Sequence, residues 1–403
     1  MNPVRRVPLA WKNLAHDRVR FALFAAGIGF AVVLMGVQLG IMNAMLDGNT
    51  ALIKRLNGEL VLVNPNKASL LFREAVSRRR MEQAAGVSGV RSAYPVYLEY
   101  QLGMLRDTAA DPAARTQTRR VRVVGIEPGS GVLDLPEVSP DEWAKLNTPG
   151  TALYDRQSRK DPLRPGQTVF GKLEPGTTTE LAGKDVTLVG GFDLGFDFAC
   201  DGTLVVSDRT FSRALRQPYY PVSPMAEVDV VVVKLEPGAD AEDVRARLRE
   251  VLGNQGDVEV LTRDELVSRE RAFWQRNTPI GFAFGAGVVL GFVVGMVICY
   301  QILASDVADH VSEYATLKAI GYPNRYLSLV VLQESLVLAA AGFVPGMAVI
   351  LGVYVILTEW TGLPMRLTPG RFALVLGLTL VMCVLSGLMA LRKAQKVDPA
   401  DVF

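Results

Sequence analysis

The chain has 403 residues, 49% of them hydrophobic, and its 43 basic side chains nearly cancel its 41 acidic ones, leaving a formal charge of +2. That balance excludes a global field of the kind that draws nucleic acid, and a mean hydropathy of +0.22 points away from an ordinary soluble enzyme. Two histidines, His16 and His310, no CxxC pair and three scattered cysteines argue against a zinc site or an intrachain disulfide framework.

Residues 1–20 carry Arg5, Arg6, Lys12, Arg18 and Arg20 against Asp17, and read as a cytoplasmic amphipathic segment. The uncharged run at 21–46 follows. It exceeds both the roughly 20 residues that a helix needs to cross hydrocarbon and the roughly 7–15 of a secretory signal core, so it is expected to be an uncleaved first span.

Residues 47–276 form a water-soluble block. Near its start, a β-branched run at 59–63, helical composition at 73–85 and a second extended run at 89–100 make one strand–helix–strand unit. Near its end, runs at 228–235, 239–252 and 258–261 make another. The two are expected to form one α+β subdomain, 47–100 with 216–262, flanking a β-rich insertion at 101–215. Within the insertion, strands are predicted at 121–126, 186–190 and 203–206, punctuated by Glu127-Pro128-Gly129, Glu174-Pro175-Gly176 and Asp201-Gly202. The loop 107–118 offers no core residues and is expected to be mobile. Asp193, Asp197 and Asp201, set among glycines, are read as turn formers rather than an acid–base set. A charged helix, 263–276, is predicted to lead into the second span.

Three further spans are expected at 277–305, 326–358 and 372–391, the last two joined by a periplasmic loop at 359–371. The uncharged core of the third runs from 335 to 358. Four spans place both ends on one side, and the basic tail at 392–403 makes that side the cytoplasm. The fold class is therefore a membrane protein: four transmembrane α-helices, with a large α+β extracytoplasmic domain between helices 1 and 2. No GxxxxGK[ST] phosphate loop occurs, since six residues separate Gly176 from Gly183 and Asp185 follows Lys184, and no catalytic set is recognisable.

Span 2 carries Gly281 and Gly285, then Gly287, Gly291 and Gly295, spaced by four within each set. Such a face lets a second backbone approach closely, either inside one bundle or across a homodimer. Glu334 is the one charge expected within the hydrocarbon; a functional carboxylate and a structural one that snorkels or caps a neighbour are both open. In the cytoplasmic loop 306–325, Glu313, Tyr314, Leu317, Lys318, Ile320 and Gly321 belong to a short predicted helix, with Tyr314, Leu317 and Ile320 as an apolar stripe. Gly321 and Pro323 end it. A stripe outside the bilayer fits a partner groove or the helix's own spans.

The segment from Glu313 to Gly321, with Glu334 thirteen residues on, resembles the coupling-helix signature of FtsX/MacB/LolC-type ABC-transporter permeases. The tail, with Arg392-Lys393 and Asp398-Pro399-Ala400, is similar to the ending of the same group. Within it, Pro8-Leu9-Ala10-Trp11, Thr278-Pro279-Ile280-Gly281-Phe282, Tyr300-Gln301-Ile302-Leu303, Asp306-Val307 and Thr361-Gly362-Leu363-Pro364-Met365 resemble the DevC type, permeases of heterocyst-glycolipid-like exporters. The resemblance implies an inner-membrane permease half that dimerises and binds no cofactor itself. It further implies a separate ABC ATPase carrying ATP and Mg, a periplasmic adaptor and an outer-membrane channel. A signalling scaffold of the FtsX kind, acting on an extracytoplasmic hydrolase, is the alternative; the bulk of 47–276 favours export.

Overall fold

The structure is a computed structural model that describes residues 18–108, 118–216, 225–253, 256–309, 320, 323–363 and 365–395. Its chain divides into two compact units: Met1–Asn43, Pro279–Leu357 and Met365–Phe403 in one, Ala44–Thr278 and Thr358–Pro364 in the other.

The first unit is helical. Helices α1 (Arg18–Lys54, of which residues 18–43 belong here), α7 (Pro279–Asp309), α8 (Asn324–Thr361) and α9 (Pro369–Gln395) each contain a stretch long and apolar enough to cross a membrane. Lipid tails supply no hydrophobic drive between helices, so close backbone approach has to hold them. Glycines provide it. A methyl group added at Gly29 would lie 3.2 Å from the Gly342 carbonyl oxygen, and one at Gly346 would lie 3.1 Å from that of Gly29. Farther along α1, Tyr354 of α8 donates its hydroxyl to the Gly36 carbonyl at 2.7 Å. The predicted glycine face of span 2 packs against the same chain. A Cβ at Gly287 would meet Gln38 at 2.8 Å, at Gly291 Met35 at 3.0 Å, and at Gly295 the Cβ of Ala31 at 2.6 Å as well as the Met382 sulfur. Of the two open readings, these contacts favour packing within one bundle at those three positions, because α1 and α9 already occupy the groove that small residues open. Around Gly285 nothing lies within 4 Å of an added Cβ.

The second unit is built on an 11-stranded sheet. Four strands, β1 (Leu60–Val63), β3 (Val90–Glu99), β12 (Val230–Leu235) and β13 (Glu259–Thr262), lie side by side in the order β13-β1-β12-β3, each antiparallel to its neighbour. Helix α2 (Arg78–Ala85) joins β1 to β3, and α5 (Ala241–Leu252) joins β12 to β13. The two strand–helix–strand units thus interleave, each inserting a strand between the other's pair, which is the split βαβ order of ferredoxin-like folds. Runs such as Leu60-Val61-Leu62-Val63 and Val230-Val231-Val232-Val233 are apolar at every position because the sheet is covered on both faces. Leu60, Leu62, Val231 and Val233 join the core under α2 and α5, while Val61, Val63, Val230 and Val232 join the opposite core.

The sequence boundary between this half and the insertion is crossed by hydrogen bonding. Strand β3 pairs β12 on one side and β6 (Arg122–Ile126) on the other. The sheet continues through β10 (Thr203–Ser207), β7 (Thr151–Asp155), β9 (Lys184–Phe192), β8 (Thr178–Leu181), β4 (Met104–Arg106) and β5 (Thr118–Arg120), with the short helices α3 (Pro140–Lys145) and α4 (Asp208–Phe211) preceding β7 and following β10 in the chain. Two other elements differ from expectation. The helix predicted at 73–85 is confined to α2, because Val76–Ser77 forms β2, a short strand paired with β11 (Glu227–Val228). Helix α1 continues to Lys54, past the predicted end at 46, and Leu52, Ile53 and Leu56 enter the core beside β1. Asp47 made the run look finished, but it is paired rather than solvated, with Arg271 at 2.8 Å.

With the glycine face filled from within, cysteine placed singly at Gly291 or Gly295 in a background lacking Cys200, Cys299 and Cys383 should give no disulfide-linked dimer. Combining Ala31→Cys with Gly295→Cys should instead consume both thiols on oxidation with the chain still running as a monomer. Gel mobility and thiol titration read both outcomes, and a dimer band from Gly295→Cys alone would favour the interchain alternative.

Candidate functional site: the junction at the base of the sheet domain

Three stretches of the second unit connect to apolar spans: the end of α1, the helix α6 (Arg263–Arg276) and residues 358–364. All three meet the loop 193–200. Phe198 N–H donates to Asn49 Oδ1 of α1 at 3.2 Å, and the Phe196 carbonyl oxygen lies 2.8 Å from where a Cβ at Gly48 would sit. The Phe198 ring lies 5.9 Å from that of Trp274 in α6. The Phe196 ring comes within 3.1 Å of a Cβ at Gly362, whose φ of +74° already favours glycine.

Two buried carboxylates hold this loop. Asp155, at the end of β7 and 0% exposed, accepts Leu194 N–H at 3.0 Å and Gln157 N–H at 2.9 Å on Oδ1, and Gly195 N–H at 2.9 Å on Oδ2. Burial pushes its carboxyl up to about 6, against the pull of those three donors. Asp197 accepts Ala199 and Cys200 N–H on Oδ1 and pairs through Oδ2 with Arg122 Nη1 at 2.7 Å. Arg122, 1% exposed, rises from β6, spends Nε and Nη2 on Thr203 Oγ1 at 3.1 and 2.7 Å, and lies 5.9 Å from the centre of the Tyr100 ring. Burial pushes the Cys200 thiol up, so it packs rather than reacts.

Helix α6 is braced on the same side. A capping box starts it, Thr262 accepting from Glu265 N–H and Glu265 from Thr262 N–H. Arg271 pairs with Asp47 of α1, and Glu270 accepts Ser69 Oγ at 2.6 Å, Leu70 N–H at 2.8 Å and Trp274 Nε1 at 2.8 Å. Burial pushes the Glu270 carboxyl up as well.

Of the sequence-predicted site residues, Glu313, Tyr314, Leu317, Lys318 and Gly321 lie outside the described residues, as do positions 109–117 of the loop expected to be mobile. Ile320 is 70% exposed. Glu334 is 0% exposed within α8, next to Ser335, whose hydroxyl donates to the Leu332 carbonyl. Of the acids read as turn formers, Asp197 caps its own turn, whereas Asp201 pairs with Arg159 at 3.0 Å and Asp193 with Arg156 at 3.7 Å. Sequence reasoning missed Arg122 and Asn49 because each meets the loop from far along the chain.

The family model of the MacB-like periplasmic core domain matches residues 21–251, more than half of the chain. The chain belongs to the MacB/FtsX-type permeases of ABC transporters. The model of the FtsX-like permease C-terminal region matches 285–399 of the permease. A curated relative, the macrolide export ATP-binding/permease protein MacB of Bdellovibrio bacteriovorus, is 22% identical over 182 residues, 44% of this chain. The match spans 28% of that relative's length. Among solved structures, the periplasmic region of MacB from Actinobacillus actinomycetemcomitans aligns at TM-score 0.36 and 13% identity, over 54% of the permease and 94% of that chain. The extracellular domain of the noncanonic ABC-type transporter YknZ from Gram-positive bacteria aligns at TM-score 0.31 and 14% identity, over 51% and 99%. Four apolar helices in a permease of this family make it an inner-membrane protein.

Truncating Asp197→Ala should cost about 3–5 kcal/mol, since it strands a buried guanidinium, whereas replacing the pair together, Arg122→Met with Asp197→Leu, should cost much less. Thermal unfolding of the purified chain separates the two. Asp155 titrates near 3.8 when unfolded and about 6 when folded, so between those values the folded state holds a proton that the unfolded state has lost. Its contribution therefore falls as pH rises through that window, by about 3 kcal/mol for a shift of about two units. Going from pH 7 to 5 should raise the parent's midpoint relative to that of Asp155→Asn, and equal slopes would remove the charge argument.

Proposed function

We propose that two copies of this permease assemble with a separate ABC ATPase, which carries ATP and Mg, and pass its motion to the periplasmic sheet domain. The work is export of a lipid or glycolipid-like cargo, handed to a periplasmic adaptor and then to an outer-membrane channel. Both termini lie in the cytoplasm, where residues 313–321 form the coupling helix. The convergence of α1, α6 and residues 358–364 on the loop 193–200 is the observation that carries this reading. A domain that served only as a passive lid would need one tether, whereas here each connection to a span is tied into the same eight residues. Differential affinity of the coupling helix for the nucleotide states of the ATPase supplies the free energy for motion. Bulk as well as junction favours export: more than half of the chain matches a periplasmic core family.

Leu317→Ala should weaken ATPase copurification at least tenfold, as loss of a buried anchor of roughly 2 kcal/mol or more does, while Glu313→Gln or Lys318→Ala at a rim should change it less than about threefold. Gly321→Val should lose permease-stimulated ATP hydrolysis in reconstituted membranes, because a β-branched residue resists the left-handed turn that ends the helix. Parent-like assembly and stimulation in both Leu317→Ala and Gly321→Val would sink the coupling assignment.

A further inference from the structure

Within the sheet domain, a cavity of about 260 Å³ opens beside the last turns of α6. Leu70, Leu71 and Phe72 wall one side, and Leu98, Tyr100 and Leu102 the other. Its place is fixed by Glu270, which binds Ser69 and Leu70, and by the Phe72 ring, set edge-on 5.4 Å from that of Phe273. Phe72 and Arg73 are both exposed and line the mouth.

Inside, two carboxylates line the wall, and only one is fully engaged. Asp229 meets Arg216 at 2.8 Å, Lys67 at 3.9 Å and the Leu98 N–H at 2.9 Å. Glu99, the last residue of β3 and 6% exposed, uses Oε1 for the Gln101 and Leu102 N–H groups at 2.9 and 3.1 Å. Its Oε2 has no hydrogen bond or ion pair among the described residues. A carboxylate in a largely buried residue, with one oxygen left open beside a cavity, favours a donor or cation there, and aromatic rings such as those of Phe72 and Tyr100, which line the same cavity, can add attraction for a cation.

We propose that this cavity binds a small lipophilic ammonium compound, its N–H donors on Glu99 Oε2 and its apolar body among Leu70, Leu98, Leu102 and the two rings. At about 30 Å³ per water-sized group, the 260 Å³ holds roughly eight to nine such groups, the size of an arylalkylamine. The proposed site draws on none of the residues assigned to the coupling helix, so it survives or fails independently of the transport reading.

The test uses the full chain in lipid nanodiscs at pH 7.5, titrated calorimetrically with phenethylamine, 2-phenylethanol and 3-phenylpropanoate, which share a ring and differ in head group. Phenethylamine should bind at least tenfold more tightly than the alcohol, and the carboxylate should bind worst. Glu99→Gln keeps an acceptor for the two N–H groups, so its melting should match the parent while the amine weakens at least tenfold and the alcohol less than threefold. Leu102→Trp should fill the cavity and abolish binding of both. Equal amine and alcohol affinity in the parent, or no binding of any probe, overturns the site without need of a variant. Preference for 3-phenylpropanoate overturns it in favour of recognition by Arg73, and an unchanged amine affinity in a folded Glu99→Gln overturns the role of Glu99.

Discussion

The Arg122–Asp197 pair is the interaction on which the base of the sheet domain depends. Arg122 rises from β6, the strand that joins the ferredoxin-like half to the rest of the sheet, and Asp197 sits in the middle of the loop where the span connections meet. A buried ion pair rarely improves stability over a well-packed apolar pair. What it supplies is direction. Three guanidinium nitrogens are committed, one to Asp197 and two to Thr203, and a planar fork leaves little freedom in how the loop can lie. An apolar substitute would keep the loop buried without fixing its angle against the sheet.

Around that fixed point the segments leading to the spans are cross-tied by short-range contacts. Asp47 of α1 takes both Arg271 of α6 at 2.8 Å and Lys54 at 3.6 Å, and Asn49 takes the loop backbone. The surface pair Lys54–Asp47 adds little by itself. The half-buried Arg271–Asp47 contact matters more, since it joins two helices separated by most of the domain's sequence. On the proposed reading, force arriving through either helix is shared before it reaches the sheet.

Legibility in the sequence followed locality. The spans, the strands β1, β3, β6, β9, β10, β12 and β13, and helices α5 and α6 announce themselves through composition and periodicity within a dozen residues. Where polar residues are satisfied at a distance, the local signal misleads: the uncharged run stops before Asp47, yet the helix continues to Lys54, with Asp47 met by Arg271 and Asn49 by the Phe198 N–H. The same holds for topology. Two strand–helix–strand units are visible in the chain, but their interleaving is decided by pairing across some 170 residues, as in Leu60 with Val233. Glycine spacing in span 2 revealed a packing face and was silent on whose backbone fills it, since intrachain and interchain grooves require the same small residues. Arg122 carried no signal of its own, and the crowding of Asp193, Asp197 and Asp201 among glycines read as turn chemistry alone.

The way the base binds its carboxylates bears on how it can move. Glu270 and Asp155 are held chiefly by neutral N–H and O–H donors, three each, rather than by cations. Coulomb attraction between ions decays gently with distance, whereas a hydrogen bond is lost within a fraction of an ångström beyond its normal length. Several such bonds between one carboxylate and one short segment therefore favour breaking together, so that departure from the seated arrangement is stepwise in place of gradual. Glu270 joins α6 to residues 69–70 in this manner, and Asp155 joins β7 to the start of the loop 193–200. Packed elements with discrete arrangements convert small shifts into definite steps. On the proposed reading, passing nucleotide-driven motion to the sheet domain calls for that behaviour, and a base held by elastic ionic contacts alone would dissipate the displacement along its length.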